Sequence, residues 1–357
     1  MNNDLLSLNR IIRKNSLFNY ADNDYSYYES DKTFQINFKS LGCKNYFNGS
    51  CIMCNYGKGK NLTPDEILAA LDNAILKSTK PIRTLLIGSY GSMLDEFEIS
   101  MSSLKTLINR IKELDISTLI IETHYETISK EKLEYIKTEL SNINILMELG
   151  FESANLEVRE KCLLKNINNE KFIKTIELIH SLDMGVILNL LVGIPFLTPK
   201  EQIEDTLNSI NWGIENNVDE FVLFPINIKL NTLLYQLYQN NEYRPISHWQ
   251  LIEILNKVNP EYLDLIYLAW YGNRGLEYGN ILPFACGICK DEIMNFYDKF
   301  LSEKTSNRRK ELLNKLLLEK QCNCYEEMLQ SLEIIDAESL DNRIVSVTKK
   351  LKLRNEK

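Results

Sequence analysis

Residues 42–56 of the chain read GCKNYFNGSCIMCNY and contain three cysteines, Cys43, Cys51 and Cys54. Their spacing is C-x7-C-x2-C, and they follow directly on residues 33–40, whose pattern predicts a strand. Three thiolates in one loop are typical of a soft-metal site, above all of an iron–sulfur cluster. No fourth cysteine or histidine lies nearby in sequence. Three thiolates on a four-iron cluster would therefore leave one iron open to another ligand.

Two other interpretations of this loop stay open. A structural zinc ion has four protein ligands, so zinc would need one more from a distant part of the chain. A disulfide with one spare thiol would need an oxidising compartment, and the first residues, MNND, carry no signal-peptide pattern. No apolar run is long enough to span a membrane. We therefore expect a cytoplasmic protein with reduced thiols.

The composition is that of a globular protein. Of its 357 residues, 44% are hydrophobic and 10% aromatic, enough for one large and one smaller domain. The net charge of -8 argues against broad nucleic-acid binding, which needs lysine and arginine to neutralise phosphates. Two basic clusters, at 308–310 and 343–357, are predicted to be a solvated helix face and a solvated tail.

From residue 33 the pattern alternates between strand and helix, which predicts a parallel sheet with right-handed crossovers. Six such units can curl into a partial barrel. Strands are predicted at residues 33–40, 83–89, 118–122, 144–149, 186–192 and 220–224. Helices are predicted at 63–80, 102–114, 130–140, 200–216 and 232–238, and two more begin near residues 156 and 170.

The two ends of the chain differ from this middle part. Residues 1–32 are predicted to be an N-terminal extension, with one short helix at 5–12 packed outside the main fold. From residue 245 onward the pattern is helical, at 247–258, 291–301 and 308–319, without strand alternation. The chain is thus divided into an extension (1–32), an α/β barrel (33–244) and a C-terminal, mainly helical domain rich in cysteine (245–357).

Ligands of parallel α/β sheets bind at the carboxyl ends of the strands. The cysteine loop follows the first predicted strand, and segments with polar or glycine residues follow the others. Those segments are 89–92, 122–124, 148–153, 193–195 and 225–227. Because they would converge at one edge of the sheet, we expect a single active site there.

A second group of cysteines lies in the C-terminal part. Cys286 and Cys289 form a C-x2-C pair, and Cys322 and Cys324 form a C-x-C pair. Four thiolates would suit a structural zinc ion or an auxiliary iron–sulfur cluster, and unconnected thiols are the alternative. Cys162 stands alone in a helical pattern and is predicted to be a buried structural residue.

With these segments the chain resembles the radical S-adenosylmethionine (SAM) superfamily over residues 33–243. The cysteine spacing departs from the commonest one, C-x3-C-x2-C, and points to a subgroup. That subgroup is similar to the Elongator-catalytic-subunit/MiaB-like branch, and within it to the archaeosine-biosynthesis radical SAM proteins. The resemblance is carried by the two pairs of C-terminal cysteines and by residues 42–56, 88–95, 148–162, 195–198, 224–228, 232–233 and 242–245.

The resemblance implies a partial (β/α)6 TIM-like barrel that holds a 4Fe-4S cluster on Cys43, Cys51 and Cys54. SAM would bind the open iron through its amino and carboxylate groups. One electron would split SAM into methionine and a 5′-deoxyadenosyl radical, which would take a hydrogen atom from the substrate. An electron donor of the flavodoxin or ferredoxin type is implied as a partner.

The resemblance also implies cofactor contacts. Residues 89–92 correspond to the glycine-rich turn that binds the methionine ammonium, and Gly91 permits close backbone approach. Glu152 and Ser153 match positions that contact the ribose and carboxylate of SAM, and Arg159 suits an ion pair with that carboxylate or a solvated position. The candidate cofactor contacts are Tyr56, Ser89, Tyr90, Gly91, Ser92, Glu152, Ser153, Arg159 and Asn189.

Three further polar residues, Glu122, His124 and Asn227, are candidates to face the substrate, although a lone histidine is more often structural. The leading hypothesis is a radical SAM enzyme acting on a modified tRNA base. A radical SAM enzyme with a small-molecule substrate is the alternative that the acidic charge permits. The third hypothesis is that the protein is not an enzyme but a zinc-binding interaction protein.

Overall fold

The computed structural model describes residues 2–14, 24–57, 59–269, 271, 281–333 and 338–355. Among them, eight strands form one sheet in chain order, in which the first pair is antiparallel and all later pairs are parallel. The strands are β1 (Tyr25–Glu29), β2 (Phe34–Phe38), β3 (Thr84–Ser89), β4 (Thr118–Thr123), β5 (Asn144–Glu152), β6 (Gly185–Val192), β7 (Glu220–Pro225) and β8 (Ile266–Leu268).

Helices follow the parallel strands and cover the outer face of the sheet. A π-helix at Val158–Leu163 and 3-10 turns at Tyr125–Thr127 and Pro260–Leu265 complete the described elements. The α-helices are α1 (Asn2–Lys14), α2 (Lys44–Asn48), α3 (Pro64–Ile75), α4 (Met101–Lys112), α5 (Lys130–Glu139), α6 (Asn169–His180), α7 (Pro199–Glu215), α8 (Leu233–Gln239), α9 (His248–Lys257), α10 (Lys290–Ser302), α11 (Ser306–Glu319), α12 (Cys324–Leu332) and α13 (Leu340–Asn355).

The partial α/β barrel predicted from the sequence is confirmed, because the six predicted strands correspond to β2–β7. Two strands were not predicted. β1 reads YSYYE and lies in the stretch taken as a polar extension, where Tyr27 stacks on Phe34 with ring centroids 5.8 Å apart. β8 has three residues, too few for an alternating pattern to show. The predicted domain boundary near residue 245 stays a prediction.

The two faces of the sheet carry different side chains. In β4, Leu119 and Ile121 are fully buried in the main apolar core, whereas Glu122 points to the other face. A Cβ atom placed on Gly88 of β3 would lie 2.5 Å from Glu122 Oε2 and 2.6 Å from the Oδ1 of Asn37 in β2. Polar side chains of adjacent strands therefore share the inner face of the sheet.

Helix α1 corrects the expectation that the N-terminal helix packs outside the main fold. Leu5 is fully buried, in an apolar cluster that also contains Ile52 of the cysteine loop and Leu234 of α8. The helix also packs against α13. The hydrophobic spacing predicted the helix but not the surface that buries it.

The basic segment 308–310 is only partly the solvated face that its composition predicted. Arg309 is 1% exposed, and its guanidinium donates to the carbonyl oxygens of Leu263 at 2.7 Å and Ile266 at 2.6 Å. It thereby holds the turn that leads into β8. Arg308 is exposed and pairs with Glu311. None of the helices in the described part of the chain combines the length and apolar character needed to cross a membrane.

We predict that Arg309→Ala lowers the free energy of unfolding by about 3 kcal/mol, because two buried carbonyl groups lose their donor. Arg308→Ala is the matched control and should change it by less than about 1 kcal/mol, since its ion pair is exposed. Urea unfolding followed by circular dichroism measures both. Equal losses in the two variants would contradict a structural role for Arg309.

Candidate active site

The cysteine loop leaves the carboxyl end of β2 and makes the single turn of α2. Gly49 ends that turn at φ 87°, and Cys51 also has a left-handed backbone at φ 60°. Burial raises the pKa of Cys43 to about 11 and that of Cys51 to about 12; negative charge on Cys54 contributes to both shifts, and the positive charge of Lys165 opposes the shift of Cys51. The assignment of the three thiols as metal ligands stays a prediction.

Arg13 of α1 holds this loop from outside. Its buried guanidinium donates to the carbonyl oxygen of Cys51 at 2.8 Å and to those of Tyr46 and Ser50. It also lies over the Tyr46 ring, 4.3 Å from the ring centroid. Burial lowers the pKa of Arg13, while negative charge on the three thiols opposes that shift. Sequence analysis missed Arg13, because helical spacing does not show which carbonyl groups a side chain reaches.

Elements from two other strands also contact the loop. The N–H group of Ile52 donates to Leu163 O, and its carbonyl oxygen accepts from the N–H of Leu234, both at 3.2 Å. The ammonium group of Lys229, in the segment after β7, lies 3.7 Å from the centroid of the Tyr56 ring. The segments after β2, β5 and β7 therefore meet at one place, as the parallel topology predicts.

The turn after β3 lies directly against the cysteine loop. A Cβ atom on Gly91 would be 2.7 Å from Cys43 Cβ, so only glycine fits here. Tyr90 stacks on Tyr56 with ring centroids 5.5 Å apart. The Ser92 hydroxyl is within 2.7 Å of both Thr123 and Thr127 hydroxyls. The structure thus uses the Ser92 side chain to join two loops.

Glu98 fixes the position of that turn. Its carboxylate accepts hydrogen bonds from Ser40 Oγ at 2.6 Å, Ser89 Oγ at 3.3 Å and the Ser92 N–H at 3.0 Å. Burial raises the pKa of Glu98 to about 7. Glu98 thereby links the end of β2 to the turn after β3. Sequence analysis missed it because it lies in an irregular segment outside the quoted motifs.

Glu152, at the end of β5, forms an ion pair with Lys165 in which Nζ and Oε1 are 2.6 Å apart. Lys165 also donates to Gly150 O at 3.0 Å and is 7% exposed. Burial would lower the pKa of Lys165, but negative charge on Glu152 and Cys51 outweighs burial and raises it. Lys165 is therefore a buried cation beside the thiols. Nothing in the sequence pattern distinguished it from a surface lysine.

Ser153 and Arg159 are engaged with the protein itself. The Ser153 hydroxyl donates to Asp205 Oδ1 at 2.7 Å, and Arg159 donates to Ser153 O at 2.7 Å and to Ile167 O at 3.3 Å. Arg159 is fully buried, also donates to the Asn169 side chain, and has its pKa lowered to about 10 by burial. The alternative of a solvated position for Arg159 is therefore wrong. Its hydrogen bonds indicate that it stabilises the backbone around Ser153 and Ile167.

The inner face carries two amide groups with spare hydrogen-bonding capacity. Asn189 in β6 and Asn227 after β7 are buried, and their Oδ1 atoms have no hydrogen-bond partner among the described residues. Buried polar atoms are nearly always paired, so these two oxygens fit hydrogen-bond donors on a ligand. Glu122 lies opposite Glu148 in the register of β4 and β5. This face is suited to a polar ligand.

His124 follows the carboxyl end of β4, and its backbone N–H donates to Ser92 Oγ at 3.0 Å. Burial, to which the positive charge of Lys165 adds, lowers the pKa of its imidazole to about 3. The imidazole is therefore neutral near pH 7 and can donate and accept one hydrogen bond each. Its proposed contact with the substrate stays a prediction.

The four C-terminal cysteines come together although Cys322 lies 33 positions after Cys289. The sulfur atoms of Cys286, Cys289, Cys322 and Cys324 all lie within 4.8 Å of one another. The predicted four-thiolate set therefore exists in the fold. Cys162 is fully buried in an apolar cluster, as predicted.

Comparisons with known proteins add independent findings. The family model of the radical SAM superfamily matches residues 40–210. An uncharacterized protein of Methanocaldococcus jannaschii is 31% identical over 265 residues, which is 71% of this chain and 72% of that protein. Archaeosine synthase subunit beta of Methanosarcina acetivorans is 25% identical over 85% of this chain and 86% of its own length.

Among solved structures, methylornithine synthase has a similar fold. The TM-score is 0.50 at 18% identity, and the match covers 92% of this chain and 91% of that one. At this identity the likeness concerns the fold alone. It agrees with the partial barrel described above.

We predict that Arg13→Gln destabilises the protein by about 2 kcal/mol or more, because buried carbonyl groups of the cysteine loop lose a charged donor. The matched control is Arg10→Gln on the same helix, where an exposed side chain makes one hydrogen bond, to Asn48 O at 2.9 Å. Thermal unfolding of anaerobically purified protein compares them. A melting temperature of Arg13→Gln equal to that of the control would contradict the assigned role.

Proposed function

Because the chain belongs to the radical SAM superfamily, in its archaeosine-synthase-like branch, we propose that Cys43, Cys51 and Cys54 bind a 4Fe-4S cluster beside a SAM site. The protein is a radical SAM enzyme, and this membership argues against the hypothesis of a non-catalytic zinc-binding protein. The observation that carries the proposal is the position of the three-cysteine loop, which follows a parallel strand, packs against the turn at Gly91 and is held by Arg13.

The residues around the loop fit these cofactors. Thiolates are the ligands that iron–sulfur clusters use, and a glycine at position 91 leaves room next to Cys43. When bound and reduced, the cluster and SAM together supply a 5′-deoxyadenosyl radical that can remove a hydrogen atom from a substrate. The chain itself would bind, orient and shield these groups, and an electron donor of the flavodoxin or ferredoxin type would reduce the cluster.

We assign the SAM carboxylate to Lys165 rather than to Arg159. Lys165 uses two of its three N–H donors on Glu152 and Gly150 O, so one remains for an anionic ligand. It lies close enough to Cys51 to interact with the thiol charge. Glu152 keeps its predicted role as acceptor for the ribose hydroxyl groups. Arg159 instead donates to acceptors of the protein.

Other candidates keep the roles that the resemblance implies. The carbonyl groups of residues 89–92 would accept from the methionine ammonium, and Tyr56 and Tyr90 form a stacked pair beside the loop. Asn189 would donate to or accept from SAM through its buried amide. Glu122, His124 and Asn227 would face the substrate.

For the substrate, we propose a modified base in tRNA. The support is the similarity to archaeosine synthase subunit beta of Methanosarcina acetivorans and of Thermococcus kodakarensis. The ion pairs of the basic segment 343–357 argue against strong tRNA binding. Arg343 pairs with Glu201, Lys350 with Glu242 and Lys352 with Asp4. We therefore expect weak, salt-sensitive binding by this chain.

A small-molecule substrate is the second candidate. It is favoured by the net charge of -8 and by the carboxylates of Glu122 and Glu148, which lie opposite each other on adjacent strands. Two carboxylates on one face suit a small substrate that carries amino or hydroxyl groups.

We predict that dithionite-reduced protein and SAM release 5′-deoxyadenosine, and that Cys51→Ala abolishes this release because the cluster loses a ligand. Lys165→Met should keep the iron but raise the KM for SAM about tenfold, since a charge-assisted hydrogen bond is lost. Iron analysis and chromatography of the products measure both. Cys162→Ala is the control, because it removes a buried thiol that is not one of the three proposed ligands.

Retention of iron and of 5′-deoxyadenosine release by Cys51→Ala would contradict the cluster assignment. An unchanged KM of Lys165→Met would contradict the SAM carboxylate contact alone. The cluster assignment and the SAM carboxylate contact are therefore tested independently of each other.

For the substrate, we expect bulk tRNA to be retarded by the protein in a gel at about 50 mM salt and to be released at about 200 mM, because phosphate contacts are screened. A DNA duplex of similar length controls for charge alone and should be retarded less. No retardation of tRNA at low salt would favour the small-molecule alternative.

A further inference from the structure

The four C-terminal cysteines form a site separate from the cysteine loop. Cys286 and Cys289 lie at the start of α10, and Cys322 and Cys324 at the start of α12. The Sγ atoms of Cys286 and Cys289 are 3.4 Å apart, and all four sulfurs lie within 4.8 Å of one another. Four cysteine sulfurs that come together from two distant turns are typical of a metal site.

The sulfur spacing distinguishes one metal ion from a cluster. A single zinc ion with Zn–S bonds of about 2.3 Å places the corners of its tetrahedron about 3.8 Å apart. In a four-iron cluster each thiolate binds a different iron, which separates the sulfurs by roughly 6 Å. The upper limit of 4.8 Å therefore fits a single ion and excludes an auxiliary cluster without rearrangement.

A buried indole beside the site lacks a well-aligned partner. Trp249 of α9 is 1% exposed, and its Nε1 makes no hydrogen bond of good geometry among the described residues. The indole ring lies 5.4 Å, between ring centroids, from that of Tyr325, which follows Cys324, and Trp249 belongs to the same apolar cluster as Cys289. A buried N–H group close to a sulfur is satisfied best when that sulfur is a metal-bound thiolate, which accepts more strongly than a thiol.

The site also anchors a segment that reaches the active site. Ile281 exchanges two hydrogen bonds with Ile228, at 2.9 and 3.0 Å, and Phe284 N–H donates to Ile246 O at 3.1 Å. Ile228 directly follows Asn227, a candidate substrate contact. A metal ion on Cys286 would therefore tie this segment to α12 and hold it beside Asn227.

We propose that Cys286, Cys289, Cys322 and Cys324 bind a single zinc ion, that Trp249 donates its indole N–H to the Cys289 thiolate, and that this ion clamps residues 281–289 next to Asn227. A closed shell of four protein thiolates makes the ion structural, because it leaves no position for a substrate. The zinc site is independent of the cluster that binds SAM.

Metal analysis of the whole protein, purified anaerobically and reconstituted with iron and sulfide, tests the ion. We expect about one zinc and about four iron atoms per chain. Cys51→Ala should lose iron and keep zinc, and Cys324→Ser should lose zinc. About eight iron atoms without zinc, or one extra iron in place of zinc, would overturn the proposal, whereas failure of the SAM chemistry would not change the zinc count.

Trp249→Phe tests the hydrogen bond without removing a ligand. We expect one zinc per chain but a dissociation constant raised about tenfold in competition with a chelator, as for other partners of metal ligands. Trp212→Phe is the matched control, because that indole stacks on Phe151, with ring centroids 4.3 Å apart, and does not serve the site. Equal zinc affinity in the two variants would overturn the assignment of Trp249.

Hydrogen exchange tests the clamp. Removal of zinc from the wild type by a chelator should speed exchange of the amides of Ile281 and Phe284, which donate to Ile228 O and Ile246 O. The amide of Leu188, in the central strand β6, serves as the internal control. Unchanged exchange at residues 281 and 284 after complete zinc loss would show that the ion does not hold this segment.

Discussion

Parallel pairing from β2 to β8 is the constraint on which the rest of the structure depends. It places the carboxyl ends of consecutive strands along one edge, so residues far apart in the chain become neighbours. The loop with Cys43, the turn with Gly91 and the segment with Lys229 meet there for this reason. The site is thus a property of the sheet, and each loop contributes only one part of it.

The cysteine loop has little regular structure of its own and is held by its surroundings. Arg13, Leu163 and Leu234 supply hydrogen bonds to its backbone from three different elements. Such external support is needed because a loop with little regular structure cannot pair all of its own backbone groups. A cofactor would meet a loop whose backbone is already fixed, which reduces the entropy lost on binding.

Charge is distributed unevenly between the surface and the site. The chain is acidic overall, with a net charge of -8, yet two buried cations, Arg13 and Lys165, interact with the three thiols. Thiolates on a metal carry negative charge into a poorly solvated region, and nearby cations offset it. By contrast, three basic residues of α13, Arg343, Lys350 and Lys352, pair with acidic neighbours, which reduces the positive charge available to phosphates.

The sequence alone determined the order of the elements from β2 to β7 and the loops at which a site is expected. Strand and helix periods and cysteine spacing are local, so β2–β7, the metal-binding loop and the two C-terminal cysteine pairs could be predicted. Only the tertiary structure decided which side chains support the site. Arg13 lies 38 positions before Cys51, and Lys165 could not be told from a solvated lysine. The spacing of the four C-terminal sulfurs, on which the proposal of a single ion rests, likewise depends on how two distant turns pack. Such contacts join residues without a periodic relation, so no local pattern encodes them.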